Sequence, residues 1–104
     1  MSEQENRNYE LIYIIQPDLD ETSLESLQER ISQTITNQDG VIVKSENWGK
    51  RKLAYPIGNF FEGHYTVHQL QMPPTAVVQV EQMLRYSEDI IRFLTMNADE
   101  AISE

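Results

Sequence analysis

The sequence predicts an α+β domain of order β-α-β-β-α-β, with one four-stranded antiparallel sheet and both helices on one face. Three observations carry that prediction. Four short segments are rich in β-branched and aromatic residues. Two longer segments between them repeat apolar residues at helical spacing. Glycine and proline fall at the joints.

The first strand spans Asn8 to Ile15, where Tyr9, Leu11, Tyr13 and Ile15 alternate with Glu10, Ile12 and Ile14. Both of its faces are largely apolar, which predicts a central strand. Gln16-Pro17-Asp18-Leu19-Asp20 breaks it. In the helix that follows, Thr22 and Glu25 have capping-box spacing, and Leu24, Leu27, Ile31 and Ile35 form one stripe. Gly40 closes this helix, with a positive φ expected there. The second strand runs from Val41 to Trp48 and continues through Lys50 to Ile57. Pro56 is tolerated only where the ladder needs no donor. Gly58-Asn59 and Gly63 mark a turn, and the third strand covers His64 to Met72. Pro73-Pro74 stops it and opens a second helix. Val77, Val80 and Leu84 are its buried stripe, with Ala76 and Met83 beside them. Asp89 to Met96 is the last strand.

This order is the ferredoxin-like arrangement. It divides the chain into a flexible acidic lead at 1–8, one domain at 9–96 and a polar tail at 97–104. One face of the sheet has no helix to cover it, so its side chains must meet solvent, a protein or RNA. A chain of 104 residues buries enough surface for one core. There is no cysteine, which removes disulfide scaffolds, thiolate zinc sites and cysteine nucleophiles. Met1 to Asn8 has no apolar signal core, and no apolar run reaches membrane length. The expectation is a soluble cytoplasmic protein.

Acidic residues outnumber basic ones 17 to 8, for a formal charge of −9. That argues against generic binding to nucleic acid and favours a basic partner or simple solubility. The distribution is uneven, however. Lys44, Lys50, Arg51 and Lys52 accompany a single anion, Glu46, between positions 44 and 52.

Catalytic patterns are weak. His64 and His68 share a strand face but lie about 13 Å apart, too far to chelate one metal. Asp18, Asp20 and Glu21 lack the spacing of a calcium loop and suit a helix N-terminus. No serine sits in a glycine elbow, and the four glycines are dispersed. The loop after the first strand is acidic, unlike the anion-binding loop of acyl-phosphate hydrolases on this fold. Gly63-His64-Tyr65-Thr66-Val67 only partly echoes an RNA-recognition motif, and Tyr65 is expected to pack. No catalytic residue, metal or cofactor is assigned. A small-molecule regulatory domain or small enzyme on the same fold is the alternative, and it requires a pocket with converging polar groups.

Asn47-Trp48-Gly49-Lys50-Arg51-Lys52 remains. Exposed cations on a hairpin often protect a sheet edge. Cations beside Trp48 and Tyr55 equally suit base stacking and phosphate contact. The residues alone leave both readings open.

At this hairpin, Glu46-Asn47-Trp48-Gly49-Lys50-Arg51-Lys52-Leu53-Ala54-Tyr55-Pro56-Ile57 closely resembles the signature of the bacterial small-subunit ribosomal protein six family. Tyr9-Glu10, Glu62-Gly63-His64-Tyr65 and Asp89-Ile90-Ile91-Arg92 extend the resemblance from about Tyr9 to Met96. It implies a ferredoxin-like ribosomal protein. Such proteins pair with the small basic ribosomal protein eighteen and bind the central domain of 16S ribosomal RNA during assembly. An acidic body suits a basic partner. Two features depart from the family: Gly58-Asn59-Phe60-Phe61 replaces cations common after the Tyr-Pro-Ile run, and Glu3 and Glu5 precede Arg7.

Charge and resemblance together nominate Lys50, Arg51, Lys52 and Arg92 for RNA contact, with Arg7 and Arg85 as further cations. Tyr9, Trp48 and Tyr55 are candidates for RNA or partner contact. Gly49 is expected to form a bulge, and Leu53 and Ile57 to anchor the hairpin to the core.

Overall fold

A computed structural model describes residues 6–98. The expected acidic lead and polar tail lie mostly outside the described residues. The elements are β1 (Arg7–Ile15), α1 (Glu21–Asn37), β2 (Val41–Ile57), β3 (Phe60–Met72), α2 (Pro74–Tyr86) and β4 (Ile90–Asn97). All pairings are antiparallel, in the order β2-β3-β1-β4. The expected α+β ferredoxin-like architecture is therefore observed.

Alternation along β1 separates two faces. Tyr9, Leu11, Tyr13 and Ile15 join Leu70 and Met72 of β3 on the helix side. Leu27, Ile31 and Ile35 of α1 and Ala76, Val80 and Leu84 of α2 pack on them. Val77, expected in the buried stripe, is only partly buried, and Ala76 takes its place. Ile12, Ile14, Tyr65, Val67, Leu94 and Met96 face the other way, with no helix above them.

Several boundaries differ from expectation. The N-cap of α1 is Asp20, whose carboxylate accepts from the Ser23 amide at 3.0 Å; Thr22 lies inside the helix. Hydrogen bonding from Ser23, first from its side chain and then from its amide, holds the Asp20 carboxyl below its ordinary pKa. After α1 the positive φ falls on Asp39 rather than Gly40. Pro74 does open α2. β3 begins at Phe60, not His64, because Ile57 and Phe60 pair directly across the turn. Gly63 thus lies inside the strand. A Cβ there would stand 2.5 Å from Ile14 Cγ2 and 3.0 Å from the Ile15 carbonyl oxygen, so only glycine fits the close approach of β3 to β1.

β2 is an edge strand with three register shifts against β3. The second falls between Asn47 and Gly49, leaving Trp48 as the extra residue. Gly49 has φ +79°, which supplies the expected bulge. The third falls between Lys52 and Ile57. There Leu53, Ala54, Tyr55 and Pro56 stand against Phe61 alone, so the strand bows out of the ladder. Its position at the edge is what admits Pro56.

Candidate nucleic-acid interface

Two of the three irregularities of β2, the bulge at Trp48 and the bow at Leu53 to Pro56, bring the site together. At the first, the Asn47 side-chain oxygen accepts from the Gly49 amide at 3.0 Å and shapes the bulge. The Trp48 indole donates to Glu46 Oε1 at 3.0 Å, and Lys44 Nζ lies 3.2 Å from Glu46 Oε2. The indole bond, and then Lys44, hold the Glu46 carboxyl below its usual range. Lys44 thereby offsets the one anion of the basic segment. So fixed, Trp48 stacks on Tyr65, with centroids 6.2 Å apart and planes 14° from parallel. Arg51 covers Trp48 at 5.2 Å, and its Nε donates to the Trp48 carbonyl oxygen at 3.2 Å. Tyr65, Trp48 and Arg51 form a ladder on the helix-free side.

At the second irregularity the bowed segment leans over the open face. Leu53, Ala54, Tyr55 and Ile57 enclose a cleft of about 100 Å³ with Ile14, Tyr65 and Arg92. Arg92 comes from β4, the opposite edge strand. Its Nη1 donates to Tyr55 Oη at 3.0 Å, and its guanidinium lies 5.8 Å from the Tyr55 ring centroid. Leu53 and Ile57 anchor the hairpin as expected, but to this open face and not to the helix-side core.

The expected contact residues do not all converge here. Trp48, Tyr55, Arg51 and Arg92 do. Lys50 and Lys52 are exposed, but they pair with His64 and Glu62 and so alternate to the other side of β2 from Arg51. Arg7 pairs with Met72 at the far end of β1, roughly 25 Å away along the strand. Arg85 lies on α2, over Phe93 at 5.7 Å, on the helix side. Tyr9 requires correction. It is 9% exposed and belongs to the core, because its alternation with Leu11 and Tyr13 turns it toward the helices. Tyr65 and Glu46 were missed as site residues. Tyr65 does pack, as expected, but what it packs is the Trp48 ring.

A separate pocket of about 240 Å³ lies between α1 and the sheet, lined by Tyr13, Gln28, Ser32, Ser45, Thr66 and His68 among others. His68 Nε2 meets Tyr13 Oη at 2.9 Å, and Nδ1 meets Ser45 Oγ at 2.6 Å. Burial lowers the His68 pKa and raises that of Tyr13. These groups satisfy one another and do not converge on an absent ligand. Among the described residues, no set of three or more His, Cys, Asp or Glu side chains could hold a metal, and no helix is long and apolar enough to cross a membrane.

The hairpin and the fold that carries it have close counterparts. The family model for ribosomal protein S6 matches residues 8–97. The chain belongs to the ribosomal protein S6 family. A curated relative, small ribosomal subunit protein bS6 of Moorella thermoacetica, is 33% identical over 93% of this chain and 99% of its own length. The bS6 of Dehalococcoides mccartyi is 40% identical over 90% of this chain and 86% of its own. In structure, 30S ribosomal protein S6 of Thermotoga maritima matches with a TM-score of 0.89 at 34% identity, covering 95% of this chain and 94% of that one. An S6-family chain is a ribosomal protein of the small subunit and not an enzyme. Its place is the ribosome, in the cytoplasm.

Proposed function

We propose that this S6-family chain binds the central domain of 16S ribosomal RNA as a heterodimer with the small basic ribosomal protein eighteen during small-subunit assembly. One observation carries the RNA half of this reading. The strongest local run of cations, Lys50 to Lys52, coincides with the ladder of exposed aromatic and guanidinium groups on the same hairpin. Arg51 sits with the stacked rings, while Lys50 and Lys52 extend from the other side of the same strand, so a stacking group and cations for phosphate are carried by one hairpin. Arg92 adds a cation from the opposite edge of the sheet. The net charge of −9 opposes unaided RNA binding. It complements a basic protein, which supplies further phosphate neutralisation. The open face offers such a partner Ile12, Val67, Leu94 and Met96, of which Leu94 and Met96 are exposed.

The test is recovery of the tagged chain from cells, followed by a salt wash and gradient fractionation. The proposal predicts co-recovery of 16S ribosomal RNA and protein eighteen with the small subunit. Salt-resistant recovery of the chain without protein eighteen, or its absence from the small subunit, contradicts it.

A further inference from the structure

The ladder of Tyr65, Trp48 and Arg51 is more specific than a patch of positive charge. The Trp48 indole stacks on Tyr65, and the Arg51 guanidinium lies 5.2 Å from the indole centroid. The bond from Arg51 Nε to the Trp48 carbonyl holds that guanidinium in place without a ligand. Arg51 and Trp48 are both exposed. The Arg51 guanidinium is therefore a planar, positively charged group, exposed and already positioned beside Trp48.

We infer that Arg51 recognises an unpaired RNA base, which stacks on the outer face of its guanidinium and continues the ladder from Tyr65 and Trp48. This deepens the RNA reading above and rests on it. A paired, helical base offers no free face except at a helix end, so the ligand is a nucleotide from a bulge, loop or junction. Guanidinium and base are both planar and delocalised, which favours their stacking. Lysine carries the same charge as a point on a flexible stem and cannot replace that surface. If Arg51 served only to neutralise phosphate, lysine would do equally well.

The test compares wild type, Arg51→Lys and Arg51→Ala, each as the pair with protein eighteen, titrated with a labelled 16S central-domain fragment at several salt concentrations. Formation of the protein pair is measured separately without RNA. The inference predicts that Arg51→Lys weakens RNA binding about tenfold, the scale of one lost stacked base. The slope of log affinity against log salt stays at its wild-type value, and pair formation is unchanged. Arg51→Ala loses affinity and also flattens the slope by about 0.7–0.9. Wild-type affinity in Arg51→Lys overturns the inference and leaves the RNA reading intact. A loss confined to formation of the protein pair also overturns it and assigns the ladder to the partner. Failure of the wild-type pair to bind the fragment at any salt concentration overturns both the inference and the RNA reading.

Discussion

Single residues explain why the hairpin holds its shape. Gly63 lets β3 approach β1, since a methyl group would meet Ile14 and the Ile15 backbone. Gly63→Ala should lower stability by about 1–3 kcal/mol in urea unfolding, the usual cost of overpacking. Gly49→Ala meets no neighbour within 4 Å, so any loss there reports its positive φ instead. His68 gives a pH signature. Burial depresses its folded pKa below the ordinary value of 6.5. As pH falls through about 6.5, the unfolded chain takes up a proton that the folded chain refuses. Stability should therefore drop below that pH, and the drop should level off at the lower folded pKa. Unfolding curves at about pH 7.5 and pH 5.5 test this, with His68→Gln predicted to show a smaller difference than wild type. Tyr9 shows where residue-level reading fails. β1 is apolar on both faces, so composition alone does not say whether the face that carries Tyr9 and Tyr13 turns toward the helices. The turn of the whole strand toward α1 and α2 decides it.

At the scale of elements, periodicity made the strands and helices readable. The α1 stripe of Leu27, Ile31 and Ile35 and the proline start of α2 follow from local spacing and φ preference. The cap of α1 was less readable because Asp20 and Thr22 are both good capping residues and lie two positions apart. Asp20→Ala should lower the melting temperature by several degrees, whereas Thr22→Ala should leave it nearly unchanged. Equal losses from the two would contradict the capping assignment. The bow in β2 was not readable. Leu53 to Pro56 looks like continued strand, and only the pairing of Lys52 with Glu62 and Ile57 with Phe60 reveals the excess residues. That excess lets Tyr55 reach Arg92 on a strand far away in sequence and at the opposite edge of the sheet. Tyr55→Phe removes the acceptor for Arg92. It should change stability by less than about 1 kcal/mol, because the bond is exposed, while accelerating amide exchange in the bowed segment.

For the whole molecule, charge and fold have to be considered together. The helices cover one face of the sheet and leave the other for recognition. On that open side the aromatic groups of the hairpin meet Arg51 and Arg92 at one end, while Leu94 and Met96 expose apolar surface elsewhere. A protein with net charge −9 acquires an RNA-facing site only where local geometry gathers its few cations. The most direct measurement is salt-dependent binding of the central-domain RNA by the protein pair, with Lys50, Arg51 and Lys52 intact or all changed to alanine. The account predicts at least a tenfold loss of affinity near physiological salt and a slope shallower by about 2. Unchanged affinity and slope would contradict it.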